Sequence, residues 1–110
     1  MISAIDKEIF ETLNEYRTNP NIAVVDLKNL KVCFNKDGLI AVPGETLLMT
    51  NEGVKAFDEA IKFMEKMQPV APLLWNEALF KATEFHTKDI GPKGQYGHDS
   101  SDGTSFKDRL

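Results

Sequence analysis

The chain has 110 residues, 42% hydrophobic and 27% charged, the composition of one modest globular domain rather than a disordered chain. Thirteen Lys and Arg against seventeen Asp and Glu leave a net charge of −4, which excludes a broad basic footprint for nucleic acid or an anionic membrane. The single cysteine, Cys33, excludes an intrachain disulfide framework and any zinc site built on paired cysteines.

The first segment reads as a helix. Ser3 can cap it, with Asp6 three positions on as in a capping box, and Ile2, Ile5, Ile9, Leu13 and Tyr16 recur every three or four residues. Pro20 ends it. Asn21 can cap a second, short helix with Val24, Leu27, Leu30 and Phe34 on one face. Asn35–Gly38 reads as a turn, Leu39–Val42 as extended chain, and Pro43-Gly44 as a further break. The next helix is the clearest. Thr50 and Asn51 are its candidate caps, Val54, Phe57, Ile61, Met64 and Met67 its apolar stripe, and Pro69 its stop. Asn76 caps a fourth helix with Leu79, Ala82, Phe85 or His86, and Ile90 on one face, ended by Gly91-Pro92. Gly91 to Ser105 is a glycine-rich loop of the length that often carries function. Ser105 and Asp108 open another capping box just before Leu110.

No basic start followed by a long apolar run is present, and apolar runs such as Ile22–Val25 are far too short to span a membrane. The chain as given reads as intracellular, or as a mature fragment whose signal has been removed.

Two histidines are the candidates for chemistry. His86 lies in the fourth helix beside Phe85 and reads as a partly buried histidine bonded to a neighbour. His98 lies in Gly97-His98-Asp99-Ser100-Ser101-Asp102-Gly103. It reads either as a loop histidine tied to Asp99 or to backbone, or as a metal ligand or general base, since neutral imidazole serves both roles. A calcium loop fails: with Gly103 sixth, His98 falls first and Arg109 twelfth, where carboxylates are needed. No G-x-S-x-G, P-loop or H-E-x-x-H pattern occurs, and the serines near His98 read as turn formers. Pro72–Asn76, with Trp75, and the Met64/Met67 stripe read as core.

Three segments then resemble a known family. Leu13-Asn14-Glu15-Tyr16-Arg17 is similar to the first-helix signature of the CAP superfamily, which comprises cysteine-rich secretory, antigen, pathogenesis-related and SCP-like proteins. Pro72-Leu73-Leu74-Trp75-Asn76 with Leu79 and Ala82 resembles its second-helix approach. Gly97 to Phe106 with Arg109 resembles the histidine loop of the disulfide-poor bacterial and protist branch. The resemblance implies an α+β fold, the CAP α-β-α sandwich, of which this chain supplies mainly the helical N-terminal half. Residues 1–110 are thus expected to be the N-terminal half of a single CAP/SCP-like domain. It also implies a cavity of two histidines and two acidic residues that holds zinc in some members. His98 aligns with the first of those histidines, and Glu15 and Glu77 match neither acidic position.

The expected function is a non-enzymatic CAP/SCP-like binding or interaction module, or a structural subunit of a larger assembly. The alternative is a cavity-type domain in which His98, with residues outside this chain, binds zinc or supports hydrolysis. No cofactor is expected in this chain alone. The expected partner is a protein or the remainder of the same domain, and by resemblance a lipid or sterol; the family is usually secreted. Leu13, Phe57, Ile61, Leu74, Trp75, Leu79, Ala82 and Phe85 are expected to be mostly buried, and the apolar stripes are expected to need cover from outside residues 1–110.

Overall fold

The computed structural model describes residues 2–110, which divide into two compact units, one ending at Leu73 and the other starting at Leu74. The first unit opens with α1 (Ala4–Thr18), entered through the expected capping box. The Asp6 amide donates to Ser3 Oγ at 3.1 Å, and the Ser3 amide donates back to the Asp6 carboxylate at 3.4 Å. α2 (Pro20–Lys31) follows after one residue. Its first residue is the proline that ends α1: proline lacks only an N–H that a first helical turn leaves unbonded anyway. Asn19, not Asn21, therefore holds the cap position, and it makes no side-chain capping bond.

α3 (Val54–Glu65) starts later than Thr50 or Asn51 implies. Thr50 Oγ1 instead accepts the Gly53 amide at 3.1 Å, and Gly53, at φ +64, turns the chain into the helix from the cap position. α2 packs chiefly on α3. Pro20, Ala23 and Val24 of α2, Ile61 of α3 and Ile40 between them are the buried apolar residues among the described residues. Phe34 meets Phe57 edge to face at 5.2 Å. Lys28–Glu65 and Lys31–Asp58 bridge the two helices at the surface, where ion pairs contribute little.

The 66–73 segment returns along α1. The Val70 amide donates to the Arg17 carbonyl at 2.8 Å, and Arg17 Nε donates to the Ala71 carbonyl at 3.2 Å. The Asn14 amide grips Leu73 twice: Nδ2 donates to its carbonyl at 3.0 Å, and Oδ1 accepts its N–H at 2.7 Å. Tyr16 donates to Asp26 at 2.6 Å, and that bond raises the phenol pKa. Asn14 and Arg17 of the Leu13–Arg17 motif thus hold residues 70–73, where the Pro72–Asn76 motif begins. Asn14→Ala strands both Leu73 groups and is expected to cost about 1 to 2 kcal/mol. Urea unfolding checks it.

The second unit holds α4 (Glu77–Ile90), a 3₁₀ turn (Gly91–Lys93), a loop, and α5 (Phe106–Arg109). Asn76 Oδ1 accepts the Leu79 amide at 3.0 Å, the cap its position implies. Trp75 lies against Phe80 at 5.1 Å, and its indole N–H donates to Glu77 at 3.0 Å.

Two expectations are corrected. The α+β sandwich is not what the described residues form: they are helical, and their β pairing is confined to the bridges Phe34–Ile40 and Ile40–Leu48. The turns at Asn35–Gly38 and Pro43-Gly44 leave extended pieces too short to lengthen into strands. The core is also smaller than the stripes imply. Ile61 is buried and Phe57 and Ala82 are half-buried, but Leu13, Leu74, Trp75, Leu79 and Phe85 are exposed. An apolar stripe records which face needs cover, and the described residues form no sheet to supply it.

Candidate functional site

The His98 loop is built by three anchors from the helices that flank it. From α4, His86 Nε2 lies 2.8 Å from the Gly97 carbonyl. A carbonyl only accepts, so Nε2 carries the proton; Nδ1 is shut off from solvent and has no partner. One turn on, the Asp89 carboxylate accepts the Ser101 amide at 2.7 Å, the Ser101 hydroxyl, and Lys93 Nζ at 2.6 Å. Lys93 and Ser101 together hold the Asp89 carboxyl far below the usual carboxylate range. From α5, Arg109 Nη1 donates to the His98 carbonyl at 2.8 Å and to Ser100 Oγ at 3.2 Å.

Inside the loop, the Ser100 amide donates to the Thr104 carbonyl at 2.8 Å, and Ser100 is buried. Asp102 accepts the Thr104 amide at 2.9 Å, and the Thr104 donors lower its pKa. Gly97 (φ +118) and Gly103 (φ +90) take the backbone angles that side-chain-bearing residues avoid. Ser105 Oγ caps α5 through the Asp108 amide at 3.2 Å, which fixes the start of the helix carrying Arg109.

His98 itself is exposed. Its carbonyl is held by Arg109, while its ring lies edge-on to Phe106 at 5.8 Å, with the Arg109 guanidinium 5.5 Å from the same Phe106 ring. The ring is not bonded to Asp99 among the described residues. His86 is half-buried as its helical position implies, but its partner is Gly97, eleven residues on, rather than a helix neighbour. The two histidines are therefore set on the same loop in different roles, one holding the backbone and one facing outward. No group of three or more His, Cys, Asp or Glu side chains comes close enough to hold a metal ion among the described residues.

Ser101, Lys93 and Asp89 are the one constellation resembling catalytic machinery. Lys93 Nζ donates to the Asp89 carboxylate and to Ser101 Oγ, both at 2.6 Å, so its donors are directed at the two groups that hold the loop. The cluster is a clamp. Its i, i+4 half, Asp89 with Lys93, is legible in the sequence; its long-range half, Ser101, is not. In the groove lined by Lys28, Lys31 and Lys62, the Lys28 and Lys31 heads are paired to Glu65 and Asp58. No helix among the described residues is long and apolar enough to cross a membrane. No protein-family model matches the chain, and comparison with curated proteins and with solved structures finds no match.

Proposed function

We propose that this chain is a non-enzymatic binding or interaction module, with the CAP/SCP-like resemblance of its three motifs, and that its ligand is a protein surface. The observation that carries the reading is unspent apolar surface. Leu74 is 89% exposed, Leu79 52% and Phe85 60%, and Ile5, Ile9 and Leu13 lie exposed along α1. The chain exposes 8656 Å². Two independently compact bodies of the sizes of its units would together expose about 7,300 Å², leaving a surplus of about 1,300 Å². Surface of this kind marks an interface. The tight loop supports the same reading: its polar groups are spent on holding backbone, as in a shaped recognition surface. The zinc or hydrolysis reading of His98 has only the family resemblance behind it.

The test is the fluorescence of anilinonaphthalene sulfonate added to the dilute chain. Enhanced emission is expected, and the double variant Leu79→Ser, Phe85→Ser should lower it with unchanged far-ultraviolet circular dichroism. Emission no greater than that of free dye overturns the reading.

A further inference from the structure

The bridged ribbon in the first unit has one free edge. Ile40 and Leu48 exchange both backbone hydrogen bonds, at 2.8 and 3.0 Å. In an antiparallel pair, neighbours of such a residue point their N–H and C=O groups the other way. The pattern holds on the Phe34 side: the Ala41 amide donates to the Cys33 carbonyl, and the Asn35 amide to the Leu39 carbonyl, both at 2.8 Å. On the Leu48 side, the same alternation turns the N–H and C=O groups of Leu47 and Met49 outward. Neither residue makes an intrachain backbone bond among the described residues. Both side chains are exposed, Leu47 at 56% and Met49 at 77%. Thr46-Leu47-Leu48-Met49-Thr50-Asn51 carries no charge and no proline, so neither of those two protections guards this short edge.

We propose that this edge pairs with the same edge of a second copy of the chain. The proposal rests on the interaction-module reading and names its partner. The register is self-complementary. With Leu48 opposite Leu48 across a two-fold axis, Leu47 of each copy faces Met49 of the other. Each such pair exchanges two backbone hydrogen bonds, four in all. Glu45 then faces Asn51 and Glu52 faces Gly44, so no two carboxylates stand directly opposed. The strand this edge requires, uncharged and β-prone, is the one the chain itself carries. At the far side of the ribbon, the Phe34 amide is taken by the Lys31 carbonyl at 3.1 Å, in the turn that leaves α2, so that N–H is not offered to a further strand.

The test is sedimentation equilibrium of the 110-residue chain and of Met49→Pro. Proline removes an N–H that has no intrachain partner, so the fold is expected to keep its circular dichroism while association weakens about a hundredfold. Leu47→Lys, the common natural edge guard, should act in the same direction through the side chain. A reversible monomer–dimer equilibrium in the parent chain, weakened in both variants, supports the proposal. A dimer of equal strength in both variants overturns the edge as the contact while leaving the interaction reading standing. A chain that stays monomeric at about 100 μM yet binds the dye overturns the second copy as occupant and leaves the interaction reading standing. A monomer that does not bind dye overturns both.

Discussion

Ile61→Ala is expected to destabilise the first unit by about 2 to 4 kcal/mol, whereas Leu79→Ala should change stability by less than about 1 kcal/mol. Both are large apolar residues on a helical stripe, and the difference is where each stripe ends up. Ile61 is one of the few buried apolar side chains among the described residues, with Pro20, Ala23, Val24 and Ile40. Truncating it opens a cavity that so small a core has little means of refilling. Leu79 is half exposed, so its truncation removes little buried area. Urea unfolding of the two variants, followed by circular dichroism, checks the pair. Equal losses would mean that Leu79 is covered in solution.

Asp89→Asn is expected to release the His98 loop while leaving α4 helical. The carboxylate is the acceptor for the Ser101 amide, the Ser101 hydroxyl and Lys93. An amide side chain keeps one acceptor oxygen and loses the charge that makes these bonds strong. Hydrogen exchange at the Ser101 amide should speed up by about tenfold or more. The pH dependence has a definite sign. Because the folded state holds the Asp89 carboxyl below its unfolded value, the clamp contributes at every pH above that unfolded value, near 3.9. It fades only as pH falls through the depressed folded value. At about pH 3, where an ordinary aspartate is largely protonated, the parent loop should still be protected and the Asn variant should not. Equal exchange rates at that pH would contradict the clamp.

Local signals were legible in the sequence because their partners lie within a turn. Ser3 with Asp6, Asn76 with Leu79 and Ser105 with Asp108 fall where the spacing places them. Pro20 shows how such a signal misleads by one element: it was read as a stop for α1 and also serves as the first residue of α2, displacing the cap from Asn21 to Asn19. Gly53 does the same at α3. What could not be read were contacts between distant residues. Asn14 gripping Leu73 across fifty-nine positions leaves no trace in periodicity, nor does His86 reaching Gly97. The largest error, the buried stripe of α4, has one cause: Leu79 and Phe85 have the spacing of core residues, and spacing does not show whether a covering layer exists. At the candidate site the loop was legible from its glycines and Arg109 belonged to the same motif, but the long-range bonds from Asp89 to Ser101 and from Arg109 to the His98 carbonyl were not, because each side chain also suits a solvated helix face.

The central claim is that much of this chain's apolar surface is bound by protein rather than spent on its own core. Differential scanning calorimetry of the dilute 110-residue chain tests it most directly. A fully packed domain of this length should absorb about 75 kcal/mol in one cooperative transition. With five buried apolar residues among the described residues, the chain is expected to unfold broadly, with an enthalpy well below that figure. A sharp single transition at full enthalpy, from a monodisperse monomer, would contradict the account.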